Sequence, residues 1–185
     1  SLLRAGLPVQ GYDINPAAVT QFADAEGRGA ATVAEAASGV NVLVIVVLNA
    51  DQVTDVLFGK GAAAAALPSG SVVLVCSTVS PTFARQTAEK LAERGLLMLD
   101  TPISGGTARA AEGKLSIMVS GADDVIAKAQ PVLDAMAANI YRMGAEPGLG
   151  STMKLVNQIL AGSQIALAAE ALAFGVRAGL DARQI

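Results

Sequence analysis

The sequence predicts an α/β fold, a doubly wound and mostly parallel sheet covered by helices on both faces. Three observations predict it. Short β-branched runs alternate with helix-compatible stretches along the whole chain, the pattern of successive βαβ units. The runs at 42–48, 71–76 and 96–100 are almost unbroken in apolar residues, as strands covered on both faces are. Alanine and glycine are abundant while aromatic residues are only 3% of the chain, which suits close helix-on-sheet packing.

Taken in order, Ser1 to Gly6 reads as the last turns of a helix with a glycine stop. Val9 to Asp13 reads as a short strand ending in a carboxylate. Asn15-Pro16 then opens a helix, with proline at its preferred first position. Residues 30–37 predict a connection and a small helix, and 51–58 an amphipathic helix. The alanine tract at 62–66 is helical, and a helix from about Pro81 to Arg94 follows the 71–76 strand. Leu115 to Ser120 is a strand, 123–136 a helix and 139–143 a last strand. From Ser151 to about Gly179 one long helix is expected, lying against the sheet domain at its start and projecting at its end. Its many apolar residues predict burial against a helical domain or a second subunit. Both ends have the look of cuts, so the chain reads as an internal piece: 1–150 a dinucleotide-binding domain, its first strand and glycine loop missing, and 151–185 an inter-domain helix opening a C-terminal helical domain.

Composition narrows the chemistry. A net charge of -3 with no basic stripe argues against nucleic acid. Cys76 is alone, so no disulfide framework or cysteine zinc cluster exists, and a reducing, cytoplasmic setting fits. The absence of histidine removes a Ser-His-Asp triad and histidine-ligated metals, so no metal site is expected. No apolar run is seen to reach the ~18–20 residues of a membrane helix.

One stretch is chemically unusual. In Gly148-Leu149-Gly150-Ser151-Thr152-Met153-Lys154, a lysine enters apolar company, with Ser151 or Thr152 placed to cap the helix. Lys154, Asn157, Gln158 and Ala161 share one helix face. On these residues alone, a surface lysine near the start of a buried helix reads equally well.

Ligands in such sheets lie beyond the carboxyl ends of the strands. There stand Asp13, Asn49, Ser77, Thr78 and the loop Ser104-Gly105-Gly106. A carboxylate at Asp13 suits the two ribose hydroxyls of an adenosine and would repel a 2′-phosphate, which favours NAD over NADP in a Rossmann-type domain. A capping or turn aspartate is the ordinary alternative. Ser104-Gly105-Gly106 leaves backbone amides uncovered, as an anion nest for a carboxylate does; a plain strand-to-helix turn is its alternative.

The ordered set Tyr12-Asp13-Ile14-Asn15-Pro16, Ser77-Thr78-Val79-Ser80-Pro81, Asp100-Thr101-Pro102-Ile103-Ser104-Gly105-Gly106 and Gly148 to Lys154 resembles the β-hydroxyacid dehydrogenase family. Residues 47–50 and 148–162 look most like its L-threonate dehydrogenase branch. The resemblance implies an NAD-dependent oxidoreductase acting on a small hydroxy acid of the 3-hydroxyisobutyrate or L-threonate type. Lys154 would be the acid/base, and Ser104, Gly105 and Gly106 would hold the substrate carboxylate. Leu48, Asn49 and Thr78 would touch the cofactor. Many members have proline where Asn49 stands. The family's asparagine four residues after the lysine is Gln158 here, with Asn157 one residue earlier, so these two are the expected substrate amides. The resemblance also implies a homo-oligomer built through the helical region.

As a base, Lys154 would need an amine less basic than an exposed lysine, supplied by burial against Met153, Leu155 and Val156. Two rival readings are an NADPH-linked semialdehyde or imine reductase and a dinucleotide-binding module without catalysis. Imine reductases generally lack the lysine, Asp13 weighs against NADPH, and the joint presence of Lys154 and the Ser104 loop weighs against loss of chemistry.

Overall fold

The computed structural model describes residues 1–185. After a short 3-10 turn at Leu3–Ala5, the order is β1 (Gln10–Gly11), α1 (Pro16–Asp24), β2 (Arg28–Gly29), α2 (Val33–Ala37), β3 (Val42–Ile45), α3 (Ala50–Phe58), α4 (Ala63–Ala66), β4 (Val72–Val75), α5 (Pro81–Ala92) and β5 (Leu97–Asp100). Then come β6 (Ile103–Ser104), α6 (Gly106–Glu112), β7 (Leu115–Ser120), α7 (Asp123–Met136), β8 (Ala137–Gly144) and α8 (Leu149–Arg177). Asn15, Thr32, Asn49 and Ser80 each cap the helix that follows through a side-chain oxygen, so four starts are written in local sequence.

Strands β3, β4 and β5 run parallel and in register. Strand alternation sorts the core into two layers. Val73 and Val75 of β4 point to the face covered by α2 to α5, where Val53, Leu57, Ala84 and Leu91 meet them. Val72, Leu74 and Cys76 point to the other face, where Ile126, Ala129 and Leu133 of α7 close it. This is the doubly wound arrangement that the alternation predicts.

Four details refine or depart from expectation. First, within the mostly parallel sheet that was expected, β7 runs antiparallel to β5 and β6. The two-residue β6 and the short α6 turn the chain back on itself instead of crossing over. Second, β3 is only partly buried, although Leu43 packs on one core layer and Val42 and Val44 on the other; only Ile45 of its residues is buried, because β3 is an edge strand paired with β4 alone. Third, β1 and β2 form a separate two-stranded parallel sheet, not hydrogen-bonded to β3. Fourth, a helix of membrane-spanning length does exist: α8 has 29 residues and a window of mean hydropathy 1.6. Counting consecutive apolar residues misses it, since Asn157, Gln158, Ser163 and Gln164 interrupt the run without outweighing its alanines and leucines.

Candidate active site

Parallel strands put their carboxyl ends on one edge, and the expected site residues gather there. Leu48 and Asn49 follow β3, Thr78 follows β4, and Ser104 to Gly106 lie just beyond β5. Asp13 follows β1 in the smaller sheet.

The start of α8 is brought to the same edge by a buried polar cluster. Asp100, the last residue of β5, is fully buried. Its Oδ2 accepts from the Gly148 N–H (2.9 Å), the Ser151 N–H (2.7 Å) and the Ser120 hydroxyl (3.3 Å), and its Oδ1 accepts from the Ser151 hydroxyl (2.7 Å). Ser120, the end of β7, in turn accepts from the Gly150 N–H at 3.0 Å. The free amides of the first turn are therefore satisfied from the sheet. Ser151 and Thr152 are not the cap, as sequence spacing suggested. Gly148 is the N-cap, Ser151 donates to Asp100, and the Thr152 hydroxyl donates to the Gly148 carbonyl at 2.8 Å.

The two glycines now have a physical reason. Gly148 takes a φ of 96°, and a Cβ there would stand 2.7 Å from the Pro81 carbonyl oxygen. A Cβ on Gly150 would stand 2.4 Å from the Met118 carbonyl oxygen and 2.8 Å from that of Asp100. Backbone meets backbone at this crossing, so only glycine fits.

That crossing delivers Lys154. One turn beyond Ser151 and on the same face, it is only 7% exposed. Its ammonium has no carboxylate partner and no hydrogen bond, yet it is not sealed from solvent. The stem is packed and the tip opens at the edge. Burial lowers the amine's pKa from the ordinary lysine value. The wall is not the expected one: Met153, Leu155 and Val156 are all exposed, because consecutive helical residues point to different sides. The sheet domain itself buries the lysine.

The other residues differ in how far they are committed. Asp13 is exposed; its Oδ1 accepts from the Asn15 N–H at 2.8 Å, so the turn role is real and Oδ2 remains open. Asn49 spends its carbonyl on the Gln52 N–H at 2.9 Å, while Leu48 is 85% exposed beside it. Thr78 is exposed beyond the buried Ser77, whose hydroxyl accepts from the Val47 N–H at 3.0 Å and ties β3 to β4. Ser104 sits opposite Ser116 in β6 and β7. Gly105 and Gly106 have φ of 133° and 70° and are exposed, with open space beside Gly106. Asn157 is half-buried on the Lys154 face and Gln158 is exposed. None of these hydrogen-bonds Lys154. No cluster of His, Cys, Asp or Glu suited to a metal occurs. In the sequence Asp100 and Ser120 carry only a weak signal, a carboxylate and a serine each ending an apolar strand.

Residues 1–144 match the family described as the NAD binding domain of 6-phosphogluconate dehydrogenase, and residues 148–185 that described as NAD-binding of NADP-dependent 3-hydroxyisobutyrate dehydrogenase. The L-threonate dehydrogenase of Cupriavidus necator is 49% identical over 98% of this chain and 61% of its own length. The 3-hydroxyisobutyrate dehydrogenase of Pseudomonas aeruginosa is 36% identical over 98% of this chain and 60% of its own. The crystal structure of a Salmonella typhimurium 3-hydroxyisobutyrate dehydrogenase superimposes with a TM-score of 0.89 at 47% identity, covering 96% of this chain and 62% of that one. A Streptomyces aurantiacus imine reductase, at 21% identity and a TM-score of 0.88, shares the fold. The chain spans about three fifths of the length of these relatives. Through its sheet domain the chain belongs to the family of the NAD binding domain of 6-phosphogluconate dehydrogenase, and the helix that carries Lys154 is similar to the NAD-binding segment of NADP-dependent 3-hydroxyisobutyrate dehydrogenase.

Proposed function

We propose that this chain is the cofactor-binding and acid/base portion of an NAD-dependent hydroxyacid dehydrogenase, with Lys154 the proton acceptor from the substrate hydroxyl. The observation that carries the reading is Lys154 itself: a cation drawn into the sheet domain with no anion to pair with. A structural lysine would recover the cost of burial in an ion pair or hydrogen bond. An unpaired, partly desolvated amine at a strand edge is what a general base near neutral pH requires.

The residues present fit a dinucleotide. Asp13 offers a free carboxylate oxygen for ribose hydroxyls, and the exposed Ile14 and Leu48 offer apolar surface near it in sequence and at the strand ends. That carboxylate favours NAD, since a 2′-phosphate would meet its charge. When bound, the nicotinamide supplies the hydride acceptor or donor. The remaining work falls to the chain: Thr78 and Asn49 line the cofactor's path, the uncovered amides at Ser104 to Gly106 hold the substrate carboxylate, and Asn157 and Gln158 orient its hydroxyls. Relatives named L-threonate dehydrogenase at 43–49% identity support an acid of the L-threonate type, and the 47% identical structure titled 3-hydroxyisobutyrate dehydrogenase keeps 3-hydroxyisobutyrate in the substrate panel.

We place the domain boundary near residue 150, assign the segment beyond it to a C-terminal helical region that also joins subunits, and locate the enzyme in the cytoplasm. The apolar residues exposed around α8 support that cover: Ile159, Ile165, Leu167 and Phe174 are each two-thirds or more exposed.

The test is reduced-nicotinamide absorbance on the full-length protein with a panel of short hydroxy acids, comparing the parent with Lys154→Met and Lys154→Arg. Arginine keeps a cation that cannot release its proton. Turnover should fall by roughly 10²–10⁴ in both, with NAD affinity within a few-fold. Retention of more than about a tenth of parental turnover by Lys154→Met would make the lysine structural.

A further inference from the structure

We propose that Asp100 is a positioning residue for Lys154: its carboxylate fixes the height and rotation of the first turn of α8 and so sets where the amine stands. The proposal rests on the reading of Lys154 as the acid/base.

The argument begins with what holds α8. Of its 29 residues only Gly150, Ser151, Lys154 and Gly175 are buried. Over most of its length the helix is exposed in this structure, so its orientation relative to the sheet domain is set at its start. There, two side chains from strand ends make every specific polar contact. Asp100 receives two amides and two hydroxyls, and Ser120 receives the Gly150 amide while donating to Asp100. Ser151 is held twice by Asp100, through its amide and its hydroxyl, and Ser151 and Lys154 are three residues apart on one face. The face that Asp100 grips is the face that carries the amine.

Stability alone would not demand this arrangement. A serine, threonine or asparagine N-cap satisfies first-turn amides from the adjacent sequence, as Asn15, Thr32, Asn49 and Ser80 do at four other helices here. Local caps tolerate rotation of the helix against its surroundings. A carboxylate contributed from β5, 48 and 51 residues away in sequence, does not, because its bonds run between the helix and the sheet edge. Burial also pushes the Asp100 carboxyl up from its ordinary pKa, against the pull of its hydrogen bonds, so the position is a costly one for a purely structural cap. Gly148 and Gly150 complete the device by letting the backbones approach closely.

The experiment is a double-mutant cycle on the full-length protein, with hydride transfer followed in single turnovers. Asp100→Ala removes the grip, and a first turn displaced by about 1 Å is expected to lower kcat by about 10–100-fold. The substrate KM and NAD affinity should stay within about threefold. Asp100→Asn can keep an oxygen on the Gly148 and Ser151 amides and turn its NH2 to the Ser151 hydroxyl, so kcat should recover to within about threefold of the parent. In a Lys154→Met background, Asp100→Ala should cost less than about threefold, because no amine is left to misplace. If Asp100→Ala fails to fold, Ser120→Ala with Ser151→Ala removes both hydroxyl bonds to Asp100 and the acceptor of the Gly150 amide, and its kcat loss should likewise vanish in the Lys154→Met background. An equal loss with and without Lys154 overturns the proposal and leaves the acid/base standing. Near-parental turnover of Lys154→Met alone overturns the acid/base reading, and the proposal with it.

Discussion

Replacing Gly150 by alanine drives one methyl group into the end of the sheet. The new carbon would lie 2.4 Å from the Met118 carbonyl oxygen, 2.8 Å from the Asp100 carbonyl oxygen and 3.2 Å from Asp100 Oδ2. The two nearest atoms are strand backbone and cannot swing aside. Restoring an ordinary 3.4 Å contact requires the first turn of α8 to withdraw by about 1 Å. Overpacking of this kind costs about 1–3 kcal/mol. For a domain of this size that is a fall of about 2–12 °C in Tm. The same withdrawal moves Lys154, four residues on, by a comparable distance, and misplacement by 1 Å lowers turnover by about 10²-fold. Differential scanning calorimetry and steady-state kinetics on one full-length preparation give both numbers. Gly162→Ala in the 185-residue chain is the control for stability, because a Cβ there meets nothing within 4 Å and alanine is the better helix former by about 0.5–1 kcal/mol. A Gly150→Ala protein with parental Tm and turnover would refute the claim that this glycine is there for close approach.

Asp13→Ala should narrow the preference for NAD over NADP in full-length enzyme; equal use of both cofactors by the parent would sink the assignment of that carboxylate. The Cys76 thiol is buried and pushed up from 9.0 to about 11, chiefly by desolvation. Its contribution is fully present below pH 9 and is lost as pH rises toward 11, about 2–3 kcal/mol over that span. Denaturant titrations should therefore show a smaller loss between pH 9 and 11 in Cys76→Ala than in the parent, and parallel losses would contradict the burial argument. The 185-residue chain should associate through α8 in sedimentation experiments, given its exposed Ile165, Leu167 and Phe174; a strictly monomeric chain at high concentration would show that the helix needs no cover.

Periodicity and local caps made most of the fold legible in the sequence. An unbroken run such as Val72–Val75 has to be covered on both faces, and Asn15, Thr32, Asn49 and Ser80 announce their helices within three residues. The motifs also marked Lys154, Asp13 and the Ser104 loop as candidates, because a lone cation in apolar company and a polar residue ending a strand are local signals. Tertiary structure alone decided the rest. The β7 reversal, the exposed edge of β3 and the separation of β1 and β2 depend on which strand lies beside which, and an apolar strand carries no mark of its neighbour. The cap of α8 comes from Asp100 and Ser120 on two distant strands, so residues next to Gly148 mislead. The burial that lowers the Lys154 amine follows from the same contact. Sequence neighbours on a helix point away from one another, whereas desolvation is set by whatever the fold brings against the side chain.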